Sequence, residues 1–142
     1  MSKENERNAK VVWSGSDLKF RGTLGSGYEF DLNSERSEAA GSPMEFLLAG
    51  VAGCTAMDVM SIMQKMRQKV HDFSVEITGL RADEHPKVYT EVEITYVVRG
   101  ESIEEDKLAR AIELSQNIYC SASQMVEQSG AKISTSYRIE EV

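Results

Sequence analysis

The chain has 142 residues, a length typical of one compact domain that buries most of its apolar side chains. Charged residues make up 27% and hydrophobic residues 41%, which is the ordinary balance of a globular protein. The net charge of −7 argues against nucleic acid and against an anionic membrane surface as the main partner.

The N-terminus is charged and carries no apolar core, so it does not resemble a secretory signal. We expect residues 1–9 to form a flexible tail and residues 10–142 to form a single domain. We therefore expect the chain to remain in the cytoplasm. Thiols are kept reduced there, so that a disulfide bond would be transient and catalytic rather than structural.

Three short runs near the N-terminus alternate like strands. They cover residues 10–13, 18–23 and 28–32, and the turn sequences Gly15-Ser16-Asp17 and Gly25-Ser26-Gly27 separate them. This spacing predicts an antiparallel meander, followed by a polar loop over residues 33–41.

A long helix is predicted from Pro43 to about residue 68. Ser42 and Glu45 have the spacing of a capping box, and Pro43 suits the first helical position. The run over residues 46–63 contains Thr55 and Asp58, which favours a buried helix over a membrane span. Its apolar residues fall on nearly every face, and one small sheet covers only one side. We therefore expect a homodimer in which this helix is central.

The C-terminal half predicts two strands, a broken helical region and a last strand. The strands cover residues 73–78 and 88–98, joined by a turn at 83–86. The helical region opens with a capping box at 102–105, breaks where Ser121 caps a second helix, and ends at Gly130. Residues 132–139 then form the last strand. The fold class is α+β with an antiparallel sheet.

The chain has two cysteines, Cys54 and Cys120, which lie 66 positions apart. Free cysteines are often small buried hydrophobic residues, and spacing alone favours that interpretation. The alternative is a pair that meets in space and performs reversible thiol chemistry. The cysteines and the two histidines, His71 and His85, lack the spacing of a zinc site. We expect no metal and no cofactor, and we assign the histidines no role.

Residues 42–54 read Ser-Pro-Met-Glu-Phe-Leu-Leu-Ala-Gly-Val-Ala-Gly-Cys, and a second helical region carries Cys120. This pattern and the order of elements resemble the OsmC/Ohr family, the osmotically induced and organic hydroperoxide resistance proteins. The resemblance implies an intertwined homodimer that reduces organic hydroperoxides. It further implies a peroxidatic Cys54, a resolving Cys120 and a lipoyl-type dithiol as reductant. Such chemistry passes through a sulfenic acid and a disulfide.

A nucleophilic Cys54 needs a nearby cation, because an apolar site alone raises the pKa of a thiol. In the family, a glutamate directly after the proline holds an arginine for this purpose. Here Met44 takes that position, and the carboxylate follows one residue later at Glu45. Glu45 also suits the capping box, and on a straight helix it lies about 14 Å from Cys54 on the opposite side.

Other charged residues suit the same task. Arg36 in the loop is the preferred arginine, with Arg21 as the alternative, although Arg36 also fits a solvated loop charge. Asp58 lies one turn after Cys54 on the same face, where it would orient an arginine or serve as a buried polar contact.

The leading hypothesis is a cytoplasmic, peroxiredoxin-like enzyme that uses Cys54, Cys120, Arg36, Glu45 and Asp58. The alternative is a non-enzymatic relative that binds a small molecule or senses redox state. Met44, and Ser121 where the family usually has a proline, keep that alternative open. A purely structural dimer would explain the apolar helix but not the paired cysteines.

Overall fold

The computed structural model describes the backbone of residues 3–142 and the side chains of residues 4–142. The chain forms two compact units, Met1–Leu47 and Leu48–Val142. Of the predicted tail, Met1 and Ser2 lie outside the described residues, Lys3–Asn5 form a 3₁₀ turn, and the first strand starts at Ala9. The single domain over 10–142 stays a prediction.

The N-terminal unit contains the predicted meander. Strands β1 (Ala9–Trp13), β2 (Lys19–Leu24) and β3 (Glu29–Asn33) pair antiparallel in the order β1-β2-β3. Gly15 and Gly27 in the two turns both have φ of 97°, a conformation that is strained for other residues. The three strands therefore follow the predicted runs within one residue at every end.

Helix α1 (Pro43–Lys65) begins at the predicted capping box. The Ser42 N–H and Ser42 hydroxyl both donate to the Glu45 carboxylate, at 3.0 and 2.8 Å. The helix ends three residues earlier than predicted. Arg67 adopts φ of 58°, and the Arg67 and Gln68 N–H groups donate to Gln64 and Met63 in a Schellman motif.

One stripe of α1 is buried within the C-terminal unit. Its members recur every fourth residue: Val51, Thr55, Val59 and Met63. On another side Met57 is 76% exposed. Within residues 3–142, α1 alone has the length and hydropathy to cross a membrane, a test that core helices of water-soluble proteins also pass.

The C-terminal unit contains a second three-stranded sheet, in the order β4-β5-β6. The hairpin β4 (Lys69–Arg81) and β5 (Tyr89–Glu101) is antiparallel, and the turn over 82–88 includes the predicted residues. Alternate residues of β5 are buried in the core: Val92, Ile94, Tyr96 and Val98. This face packs with Val51, Val59 and Met63 of α1 and with Leu108 and Ile112.

The last strand, β6 (Lys132–Glu141), runs parallel to β5. The prediction of a wholly antiparallel sheet was wrong for this pair. Parallel neighbours require a long crossover, and residues 102–131 supply one. The α+β class of the prediction is confirmed.

The helical region of this crossover has three parts: α2 (Glu105–Leu114), a π-helical turn (Ser115–Tyr119) and α3 (Ser121–Gln128). The predicted capping box at Ser102 was wrong. Ser102 has φ of 52° and its N–H donates to Glu141, so the helix starts after Glu104. Gly130, with φ of 106°, follows the end of α3 as predicted.

Candidate functional site

The C-terminal unit brings both cysteines and one carboxylate together. The sulfur atoms of Cys54 and Cys120 and a carboxylate oxygen of Asp58 all lie within 4.8 Å of one another. Cys54 and Asp58 share a face of α1 because they are one helical turn apart. Both cysteines are free thiols; Cys54 is partly exposed and Cys120 is fully buried.

Cys120 is the N-cap residue of α3. Its sulfur accepts the Ser123 N–H at 3.4 Å and donates to the Ser123 hydroxyl at 3.1 Å. The predicted break at this point is confirmed, but Ser121 was wrong as the cap, since it is already the first helical residue. The thiol takes the place of the usual capping oxygen, so it lies at the positive end of the helix.

The pKa of Cys120 is raised above its ordinary value. Burial is the main cause, because the thiolate loses its hydration, and the neighbouring Cys54 raises the pKa further. The two hydrogen bonds with Ser123 act in the opposite direction and lower it. Cys120 is therefore a thiol at neutral pH, with its own means of stabilising the thiolate once the proton leaves.

A buried hydrogen-bonded chain extends from Asp58 into the core. The Ser115 hydroxyl lies 3.0 Å from Asp58 Oδ2, to which it donates, and 2.8 Å from the Thr55 hydroxyl. Thr55 in turn lies 2.7 Å from the Tyr96 hydroxyl. The Gln116 amide donates to Tyr96 at 3.0 Å and to Thr55 at 3.3 Å. Every described buried polar side-chain atom has a partner, so this network is complete.

Burial also raises the pKa of Tyr96, the far end of this chain. Its hydrogen bonds with Thr55 and Gln116 oppose the shift, while Cys120 and Asp58 add to it. Tyr96 therefore stays protonated well into the alkaline range and keeps a donor available to the network.

The π-helical turn explains how Ser115 and Cys120 reach the same site. The Cys120 N–H donates to the Ser115 carbonyl at 2.7 Å, five residues back, which is a π-type bond. The extra residue in this turn lets Ser115 contact Asp58 while Cys120 begins α3. Such turns are frequent at functional sites.

Sequence reasoning missed this network apart from Asp58. The available signal was Thr55, a polar residue next to Cys54 in an otherwise apolar helix. Ser115, Gln116 and Tyr96 gave no signal, because a buried partner is needed to distinguish them from ordinary helix and strand residues.

The remaining predicted residues, Arg36 and Glu45, lie in the N-terminal unit. The pKa of Glu45 is lowered, first by the Ser42 backbone hydrogen bond, then by the Ser42 hydroxyl, and also by the nearby charge of Arg36. Glu45 thus has the capping role that was one of its two interpretations. Its role toward an arginine stays a prediction.

Arg21, the alternative arginine, is engaged within its own sheet. Its guanidinium donates to Asp31 at 2.9 Å and to Glu29 at 3.3 Å, and these partners raise its pKa, Asp31 most strongly. The preference for Arg36 over Arg21 as the cation for Cys54 stays a prediction.

The family model for OsmC-like proteins matches residues 36–136, which is more than half of the chain. The chain belongs to the OsmC family. The protein YhfA of Escherichia coli K12 is 37% identical over 131 residues, covering 92% of this chain and 96% of that protein. The family resemblance noted in the sequence is confirmed.

Solved structures agree on the fold of this OsmC family member. A hypothetical protein from Aquifex aeolicus is 32% identical, with a TM-score of 0.86 over 97% of this chain and 98% of that one. An organic hydroperoxide resistance protein from Elizabethkingia anophelis has a TM-score of 0.72 at 15% identity, over 99% and 100% of the two chains. The latter likeness shows the fold alone.

Proposed function

We propose that this OsmC family member is a thiol peroxidase that reduces organic hydroperoxides through Cys54 and Cys120. The proximity of the two sulfur atoms, within 4.8 Å across 66 positions of sequence, carries the proposal. The fold shared with proteins named for organic hydroperoxide resistance supports the substrate class.

In the first step the Cys54 thiolate attacks one oxygen of the peroxide bond. The O–O bond breaks, the alkoxide takes a proton and leaves as an alcohol, and Cys54 becomes a sulfenic acid. The partial exposure of Cys54 suits it to meet the substrate, whereas buried Cys120 suits the second step.

In the second step the Cys120 thiolate attacks the Cys54 sulfur. An S–S bond forms, and the sulfenic hydroxyl leaves as water after taking a proton. Asp58, whose carboxylate lies within 4.8 Å of the Cys120 sulfur, accepts the Cys120 proton in this proposal. Ser115 holds that carboxylate in place through its hydrogen bond.

The resulting disulfide is reduced by two thiol–disulfide exchanges with an external dithiol of the lipoyl type, which is itself oxidised to its cyclic disulfide. Arg36, held by Glu45, supplies the positive charge that stabilises the Cys54 thiolate. The Arg36 charge already lowers the pKa of Glu45, which supports this pairing.

The active form in this proposal is an intertwined homodimer in the cytoplasm. Met57 on α1 is 76% exposed in the single chain, which supports an apolar partner surface at this helix. A second copy of the chain offers such a surface by symmetry.

A peroxide-consumption assay tests this function. Cumene hydroperoxide with catalytic protein and excess dihydrolipoamide should be consumed continuously, and glutathione should support turnover poorly. Cys54→Ser should abolish turnover. Because both cysteines of the chain belong to the proposed site, the control is another serine substitution on α1, Ala52→Ser. Absence of turnover with every dithiol would contradict the enzyme and favour a redox-sensing or binding protein.

A further inference from the structure

The cluster of Cys54, Asp58 and Cys120 contains three groups that ligate metal ions, and no sequence spacing revealed it. Their ligand atoms lie within 4.8 Å of one another. Two sulfur ligands on one zinc ion lie roughly 3.8 Å apart, given Zn–S bonds of about 2.3 Å and tetrahedral angles. The distances between the three ligand atoms therefore need to shorten by about an ångström or less for all three to bind a single ion.

The surroundings of the cluster favour a cation. Two thiolates and a carboxylate would concentrate three negative charges in a partly buried space. Within residues 48–142, no ion pair joins Asp58 to a lysine, arginine or histidine side chain. A divalent ion would neutralise most of this charge and would keep both thiols deprotonated.

The ligands are also held by neighbouring hydrogen-bonding groups, as in established metal sites. Ser115 donates to Asp58 at 3.0 Å, and the Ser123 N–H donates to the Cys120 sulfur at 3.4 Å. Ser115 and Ser123 are themselves fully buried, so neither group is free to turn toward water. Cys54 and Asp58 are partly exposed and give an ion access.

We propose that Cys54, Cys120 and Asp58 form a binding site for a zinc-type divalent ion in the reduced protein. Two sulfurs and one oxygen suit the borderline-soft Zn²⁺, and three protein ligands leave a fourth position for water. Binding holds both sulfurs as thiolates, so the ion displaces any thiol proton that is present, and the affinity depends on pH. Because the ion uses both sulfurs, metal binding and the Cys54–Cys120 disulfide exclude one another.

This site does not depend on peroxidase activity. A protein that binds the ion and turns over no peroxide would lose the proposed function and keep the site. A protein that turns over peroxide and binds no ion would keep the proposed function and lose the site.

The test is a titration of the reduced, chelator-treated full chain with Co²⁺, which reports its ligands by absorption. We expect one cobalt per chain, a thiolate-to-cobalt charge-transfer band, the visible bands of tetrahedral cobalt, and displacement of both by Zn²⁺. Cys54→Ser and Cys120→Ser should each lose the band. Asp58→Asn should weaken binding by about tenfold or more, since even loss of an outer hydrogen-bonding partner costs that much.

Asp106→Asn, which changes an exposed carboxylate on α2, is the matched control and should bind as the wild type does. Two readouts need no variant: release of protons as the ion binds, and protection by Zn²⁺ of both cysteines against an alkylating reagent. Diamide-oxidised protein should bind no cobalt. A wild type that takes up no cobalt, a band that survives in Cys54→Ser, or unchanged affinity in Asp58→Asn would overturn the three-ligand site.

Discussion

The Ser115 hydroxyl donates a hydrogen bond of 3.0 Å to the carboxylate of Asp58. The carbonyl of the same residue accepts the Cys120 N–H at 2.7 Å. One buried serine thus fixes the carboxylate on α1 and the backbone of the second cysteine. The mutual arrangement of Asp58 and Cys120 depends on this π-helical turn as much as on either helix.

Ser123 should control the reactivity of Cys120. Its hydroxyl and its N–H both lower the pKa of this thiol, against burial and against Cys54, which raise it. Ser123→Ala removes the hydroxyl contribution, so the pKa of Cys120 should rise further. Formation of the disulfide from the Cys54 sulfenic acid should then slow at neutral pH and recover in alkaline solution, where the thiolate forms in either protein.

The measurement is the rate at which sulfenic acid disappears after one equivalent of peroxide, followed with a trapping reagent from pH 6 to 10. Ser121→Ala, which alters the exposed neighbour, should leave that profile unchanged. Equal slowing at every pH would indicate a packing defect instead of a pKa effect.

Tyr96→Phe should destabilise the C-terminal unit. The change removes the hydroxyl that lies 2.7 Å from Thr55 and accepts from Gln116 at 3.0 Å. It leaves the buried Thr55 hydroxyl and the partly buried Gln116 amide with one partner fewer. We expect the free energy of unfolding in urea to fall by about 1–2 kcal/mol. Tyr119→Phe, at a residue that is 58% exposed, should change it little.

The same tyrosine predicts a pH dependence. The pKa of Tyr96 is raised in the folded protein, so the unfolded chain loses this proton first as the pH rises past about 10. The stabilising contribution is present below pH 10 and declines above it. Tyr96→Phe should therefore lose less stability than the wild type in this range; equal alkaline losses would contradict the buried, protonated hydroxyl.

The sequence predicted most of the elements because their signals are local. Ser42, Pro43 and Glu45 specify the start of α1 by themselves, and alternation along β5 identifies its buried face. The direction of β6 was not accessible in this way. Strand polarity depends on where the crossover returns the chain, and a local pattern does not encode that.

The sequence likewise identified only some residues of the candidate site. Cys54 and Cys120 were identified as a pair through the family pattern, and Asp58 through its helical spacing. Ser115, Gln116 and Tyr96 became visible only in three dimensions, since each contact joins segments at least 20 positions apart. The cap formed by Cys120 was also missed, because sequence rules for caps expect an oxygen.

Exposure on α1 predicts an effect on assembly. Met57 is 76% exposed on the helix that the proposed homodimer covers. Met57→Glu should place a charge in that interface and shift the protein toward monomer in sedimentation equilibrium. Met125→Glu on α3 is the matched control, because Met125 is 75% exposed, and it should leave the dimer intact. A wild-type monomer, or equal effects of both variants, would contradict an interface at α1.

Arg36 should activate Cys54. If its guanidinium supplies the missing cation, Arg36→Ala should remove charge stabilisation from the Cys54 thiolate and slow peroxide reduction at neutral pH. Thiolate absorbance at neutral pH in a Cys120→Ser background measures that thiolate directly. Arg21→Ala, which breaks contacts with Asp31 and Glu29, should leave the absorbance unchanged. A flat response to Arg36→Ala would assign the cation to another residue.

The central claim is that Cys54 and Cys120 perform one redox reaction together. Mass spectrometry of the full chain after one equivalent of cumene hydroperoxide tests it most directly. We predict an intramolecular Cys54–Cys120 disulfide in the wild type, and sulfenic or sulfinic acid on Cys54 in Cys120→Ser. Two thiols that remain free under excess peroxide would contradict the claim.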